Sequence, residues 1–174
     1  MTTETAGGGV ARIAGLPDIA VGLGRMAASA DRSQVLCALG LGSCIGLVMI
    51  DARMGVAGLA HVMLPAARGE VPLPGKYADT AAPALLDAVV ALGARPRHLV
   101  VKMAGGAEMF ASGSGGRTLA VGERNAEAVR AAVASLRLNV AAADTGGSMG
   151  RTLRVDVSSG RVTVRRVGGR VREL

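Results

Sequence analysis

The sequence predicts an α/β domain whose strands are largely antiparallel or mixed, and three observations carry that prediction. Apolar runs of strand length, Val35–Leu39, Ile45–Ile50 and Val56–Met63, are separated by short turn-forming segments. Two stretches, Lys76–Leu92 and Glu123–Leu136, instead repeat apolar residues at steps of three and four, the period of a helix with one buried face. Toward the C-terminus, Leu153–Val157 and Val162–Val167 alternate apolar and polar around Ser158-Ser159-Gly160, the pattern of a hairpin with one wet face. Strands outnumber helices, and no internal repeat marks a second domain.

Taken in order, residues 1–9 read as a disordered lead to a single domain over 10–174. Val10–Leu16 and Ile19–Leu23 are short apolar segments with a turn at Pro17-Asp18, and Arg25–Ser33, polar and small, reads as a loop. Asp51–Gly55 supplies a hairpin-like connection between the second and third strands. Pro65–Gly75, with Pro72 and Pro74, is expected to be an irregular surface loop. In the first helix Tyr77, Ala81, Ala84, Leu85, Ala88, Val89 and Leu92 share a face, and Gly93 stands where a C-terminal cap belongs. Pro83 predicts a kink or a later start. His98–Ala104 is a strand broken by Gly105-Gly106, and Ser112–Gly116 is a flexible turn. The second helix carries Ala126, Val129, Ala132, Val133 and Leu136 inward, and Val140–Ala143 returns as a strand.

At 174 residues the chain is long enough to bury a sizeable core, yet only Tyr77 and Phe110 are aromatic, so Ala, Val, Leu, Ile and Met must fill it. The apolar run Val35–Ile50 is shorter than the ~20 residues of a membrane helix. The N-terminus lacks the basic start and apolar block of an export signal. The expectation is a cytoplasmic protein with free thiols and no membrane insertion. Net charge is +7, and the Arg residues at 151, 154, 161, 165, 166, 170 and 172 form a basic C-terminal strip. Stacking aromatics and a groove-fitting basic helix are both missing, which argues against nucleic acid and leaves a solvated face or an acidic protein partner.

The residues with chemical potential gather at Leu39-Gly40-Leu41-Gly42-Ser43-Cys44, a Gly-rich turn between two strands. Free Cys is mostly thiol at neutral pH, so a nucleophilic Cys needs a neighbouring base. Cys44 with His61, at the end of the next apolar run, is the candidate pair. Small residues around Cys44 allow close approach of substrate, and amides of the Gly42–Cys44 turn, with Ser43 between, are candidate oxyanion donors. Cys37, in a plain apolar setting, reads as core, and His98 as a surface histidine without a role. Gly40 to Gly46 superficially resembles a dinucleotide-binding turn, but that motif must open a helix, and strand follows here. A zinc site from Cys37, Cys44, His61 and His98 would lack the close ligand pairs of structural sites. No metal or cofactor is expected.

Six motifs in order complete the picture: LGSC at 41–44, AHVMLP at 60–65, KYAD at 76–79, GGAEMF at 105–110, GERN at 122–125 and DTGGSMGR at 144–151. Together they resemble the chemoreceptor glutamine deamidase family, CheD, over roughly residues 35–168. That resemblance implies a layered α/β/β sandwich, similar to the catalytic domain of cytotoxic necrotizing factor toxins. It implies a cysteine-dependent amide hydrolase that converts receptor glutamines to glutamates through a thioester on Cys44, with His61 as base. The partners it implies are chemoreceptor cytoplasmic domains and a CheC-type phosphatase. The family pattern has a threonine six positions before the cysteine, where it orients the histidine, and Ala38 stands there in this chain. A backbone carbonyl along strand 35–39 is the expected substitute. Ala38 also sustains a rival reading, a non-catalytic module that binds receptor or phosphatase.

Overall fold

Two six-stranded sheets lie face to face, and two helices cover the outer face of the first. The computed structural model describes residues 2–3, 11–12, 18–108 and 121–174. In the first sheet the order is β1 (Thr2–Thr3), β4 (Met26–Ser29), β7 (Val56–Val62), β6 (Ile45–Asp51), β8 (Val100–Gly105) and β9 (Val140–Thr145). In the second it is β12 (Val171–Glu173), β11 (Val162–Arg166), β10 (Arg151–Asp156), β5 (Val35–Leu41), β3 (Asp18–Ala20) and β2 (Ala11–Arg12). Pairing is antiparallel except for β8 with β9 and β3 with β5, so both sheets are mixed.

The unbroken apolar character of β6 and β7 follows from their position, since every residue of both is buried. Ile45, Leu47 and Met49 point toward α1 (Ala78–Ala91) and α2 (Val121–Ser135), with Ala60, Val62 and Met103 beside them. Val48, Ile50, Ala57 and Leu59 point the other way, onto Leu36, Leu41, Leu153 and Val155 of the second sheet. Neither cluster contains an aromatic residue, which lets the layers come close. At Gly46 the approach is limiting: a Cβ there would sit 2.5 Å from Leu153 Cδ2 and 3.0 Å from Leu41 Cδ1.

Helix α1 starts at Ala78 and runs through Pro83 without a later start. Gly93, at φ +100°, ends it with two backbone bonds, Gly93 N–H to the Val90 carbonyl and Ala94 N–H to the Val89 carbonyl. Other expectations shift. The segment Arg25–Ser33 is not all loop, because Met26–Ser29 forms β4, entirely buried and paired with Ala57–Ala60. Within the expected irregular stretch, Pro74–Lys76 forms a short 3₁₀ turn, and Pro96–His98 forms another ahead of β8. Strand β12 lies beyond the predicted hairpin. His98 is partly buried, with Nδ1 3.5 Å from the buried Asp51 carboxylate. The expected turn at 112–116 and most of the expected lead at 1–9 lie outside the described residues. No described helix is long and apolar enough to cross a membrane.

The basic strip is mostly exposed, as a solvated face would be, but much of it is also paired with acids of the chain, and Arg151 alone of the seven is buried. Asp144, nearly inaccessible to solvent, lies within ion-pair distance of Arg151, Arg166 and Arg172. Arg154 pairs with buried Asp18 at 2.7 Å and Arg161 with Glu173 at 2.8 Å. Burial alone would raise the Asp144 pKa, but the hydrogen bonds from Arg166 and Arg172 and the charge of Arg151 outweigh it and lower the value to about 2. The folded carboxyl therefore titrates below its unfolded value of about 4, so its contribution is complete above that pH and lost as pH falls toward 2. Denaturant unfolding should show roughly 2 kcal/mol of stability lost over that window, and Asp144→Asn should abolish that part of the loss.

Candidate active site

Residues 42–44 form a bend between β5 and β6, with Cys44 half-buried against the inter-sheet core. Gly40 just before it takes φ +66°, in open space, where an L side chain would be strained. Each carbonyl of the bend is held by a donor from another part of the chain. The Gly42 carbonyl accepts from Ala107 N–H at 2.7 Å, and the Cys44 carbonyl from Gly106 N–H at 2.9 Å. The Ser43 carbonyl accepts from Asn125 Nδ2 at 2.9 Å.

Those donors can reach the bend because glycine stands where backbones touch. A Cβ on Gly105, whose φ is +124°, would run into the Cys44 carbonyl oxygen. A Cβ on Gly122, at the start of α2, would run into the carbonyl of Gly106. The motif residues Gly105, Gly106 and Gly122 thus stack three backbone segments under the cysteine. Asn125, one turn further along α2, is fully buried. Its second amide hydrogen goes to the Met63 carbonyl at 2.8 Å, just past the end of β7, while its Oδ1 has no partner among the described residues.

His61 lies on β7 opposite Gly46 of β6. Gly46 faces Leu41 and Leu153 of the second sheet, and Cys44, in the bend just ahead of β6, packs against that same inter-sheet core. The imidazole is buried, at 2% exposure, and Nδ1 lies 3.1 Å from the Val21 carbonyl. A carbonyl only accepts, so Nδ1 carries the proton and Nε2 is bare. Nε2 is also buried and unpartnered, so no hydrogen bond to Cys44 is formed in this resting structure. The acceptor is therefore on Val21, beyond the end of β3, and not on strand 35–39. Val21 is itself pinned there by its N–H to the Cys37 carbonyl at 2.7 Å. Ala38 is wholly buried and packs into the inter-sheet core. Cys37 is fully buried, as expected.

Burial pushes the Cys44 thiol above its ordinary pKa, with a smaller opposing pull from its own backbone amide. Burial pushes the His61 imidazole below its ordinary value, opposed by the bond to Val21. Both groups are therefore neutral at rest: a thiol and a free base, not a thiolate–imidazolium pair. Beyond Met63 lies an open cleft of about 450 Å³ lined by Leu64, Pro65, Tyr77, Val121, Arg68 and Arg124. Neither arginine has an ion-pair partner among the described residues.

Asn125 is the site residue that sequence reasoning missed. The signal was present: Gly122, Asn125, Ala126, Val129 and Val133 form the buried stripe of α2, and a polar residue in such a stripe must find internal partners.

Because the resting thiol is neutral, Cys44 alkylation by iodoacetamide should rise with pH through and beyond the ordinary cysteine range, with no plateau near neutrality. A plateau at pH 6–7 would mean a preformed ion pair. Cys37 should stay unmodified in the folded protein.

A family model described as CheD chemotactic sensory transduction matches residues 63–166. A Symbiobacterium thermophilum protein named probable chemoreceptor glutamine deamidase CheD is 43% identical over 158 residues, 89% of this chain and 96% of the relative. The chemoreceptor glutamine deamidase CheD of Thermotoga maritima is 39% identical over 149 residues, 86% of this chain and 92% of its own. One from Geobacillus kaustophilus, again named probable, is 44% identical over 145 residues, covering 81% and 88%. Too little of the chain falls outside the Symbiobacterium match to leave out residues 44 and 61. The chain belongs to the CheD family.

Proposed function

We propose that this protein is a glutamine deamidase acting on the cytoplasmic domains of chemoreceptors, with Cys44 as nucleophile and His61 as general base. The observation that carries the reading is the state of His61: Nδ1 is occupied by the Val21 carbonyl, Nε2 is bare, and the residue stands opposite Gly46 on the inter-sheet side against which Cys44 also packs. The names of the relatives supply the substrate class. The cleft beyond Met63, mostly apolar and carrying two arginines without ion-pair partners among the described residues, suits a protein surface with carboxylates better than a small neutral amide.

In the mechanism, Nε2 takes the Sγ proton as substrate closes the site, and sulfur attacks the carboxamide carbon of glutamine. Electrons move onto the oxygen to give a tetrahedral oxyanion. As it collapses, the C–N bond breaks and His61 returns the proton to nitrogen, so ammonia leaves and a thioester remains. His61 then takes a proton from water, the hydroxide adds, and the C–S bond breaks to release glutamate and restore the thiol. A neutral thiol beside a neutral base is a suitable starting point, because proton transfer and attack can be coupled.

The rival reading, a modulator that binds receptor or phosphatase without chemistry, loses its chief support once Val21 takes the orienting role that Ala38 lacks. A CheC-type phosphatase would, on the present reading, bind over the same face and compete with receptor. The likeness to toxin deamidase domains rests on the family resemblance.

Intact-mass analysis of a receptor cytoplasmic fragment should register the gain that accompanies exchange of NH₂ for OH. Cys44→Ala and His61→Ala should each abolish it, while Cys37→Ser leaves it largely intact. An active Cys44→Ala protein would sink the mechanism. Ala38→Thr should change the rate by less than about tenfold, because the Nδ1 proton already has its acceptor. His61 works only when neutral, so activity should fall as pH drops through its lowered pKa. The acid limb of kcat/KM should therefore lie below the ordinary histidine value of about 6.5.

A further inference from the structure

Asn125 spends both hydrogens of its side-chain amide on two backbone carbonyls, Ser43 and Met63. The first belongs to the peptide plane that joins Ser43 to Cys44. In a trans peptide the C=O and the following N–H point in opposite directions, and the plane is rigid. Fixing the Ser43 oxygen toward Asn125 therefore turns the Cys44 N–H away from α2. That N–H lies beside its own sulfur, where it already stabilises the ionised thiol. The preceding plane is treated the same way: Ala107 N–H holds the Gly42 carbonyl, which turns the Ser43 N–H outward. A carbon bonded to Sγ would place its oxygen within reach of a Cys44 N–H that cannot swing round to meet the protein.

The second hydrogen reaches Met63, two residues after His61 on the same chain segment. One side chain thus fixes the nucleophile's peptide plane and the end of the strand that carries the base. Asn125 pays for this with a buried Oδ1 that has no partner among the described residues. A residue kept only for packing would avoid that cost by being apolar, as Ala126 and Val129 beside it are.

We propose that Asn125 is a positioning residue for oxyanion stabilisation, holding the Ser43–Cys44 peptide so that the Cys44 amide faces the developing negative charge. The inference rests on Cys44 being the nucleophile of the deamidase reading, but it does not depend on which protein is the substrate.

Two reactions of the same sulfur separate this role from plain structural support. Acylation by p-nitrophenyl acetate passes through a tetrahedral oxyanion, whereas alkylation by iodoacetamide displaces iodide and forms none. Both rates are measured at one pH in a Cys37→Ser background, for the parent, for Asn125→Ala, and for Asn125→Leu, which keeps the branched outline in bulkier form while removing both donors. Acylation should fall by about 10² or more, the scale of a lost oxyanion donor, while alkylation changes less than about threefold. On a receptor fragment the loss should appear in kcat, with KM nearly unchanged. Equal falls in both rates would mean that the site has merely loosened, and unchanged rates that Asn125 holds nothing of consequence; either overturns the proposal. Should Asn125→Ala melt below the assay temperature, Asn125→Leu decides the question. A parent that acylates at Cys44 yet leaves receptor glutamines intact would strike the deamidase reading and leave this inference standing.

Discussion

Backbone packed directly against backbone is the constraint on which the rest of the site depends. Gly105 touches the carbonyl of Cys44, and Gly122 touches the carbonyl of Gly106, with no side chain between any of them. That stack lets the Gly106 and Ala107 amides reach the cysteine bend, and it sets the first turn of α2 low enough for Asn125 to follow. A methyl group at either glycine would force the layers apart by more than a flexible side chain could absorb. The central strands impose a matching demand from below, because Gly46 leaves no room between the sheets for anything larger than hydrogen. Close layers and a rigid cysteine bend are consequences of the same small-residue composition.

How much of this could be read from the sequence depended on whether a residue's partners lay nearby in the chain. The central strands declared themselves as unbroken apolar runs, and both helices and the C-terminal hairpin through period, because burial of one or two faces writes itself into local pattern. Met26–Ser29 did not, since Met-Ala-Ala-Ser is a strand only because β7 lies alongside it. Val171–Glu173 is exposed at every position and carries no burial pattern at all. At the site, Cys44 and His61 were visible as residue types, and the pairing of β6 with β7 sets His61 opposite Gly46, two residues after Cys44. The acceptor for His61 was out of sight, because Val21 stands 40 positions away and contributes only a carbonyl that every residue possesses. Backbone donors and acceptors leave no letter in the sequence.

The charge distribution makes the same point from the other side. Seven arginines near the C-terminus read as a strip for an external partner, yet five of them pair with acids of the chain itself. Asp144 alone engages three, so β10, β11 and β12 of the second sheet are tied to β9 of the first through one buried carboxylate. The cleft beyond Met63 brings together Arg68 and Arg124, neither ion-paired among the described residues, which sequence inspection had no reason to group.

The neutral resting thiol has a consequence for survival in a cell that meets oxidants. Peroxide attacks the thiolate, and the first product, a sulfenic acid, is the entry to an oxidation series that ends irreversibly. A cysteine kept ionised at all times is exposed to that series whether or not substrate is present. Cys44 has its pKa raised by burial and has no standing hydrogen bond to His61, so little thiolate is present at rest. The second thiol, Cys37, is too deeply buried to act as a resolving partner, so a sulfenic acid on Cys44 would have no internal disulfide to escape into. Reserve, in this site, takes the place of repair.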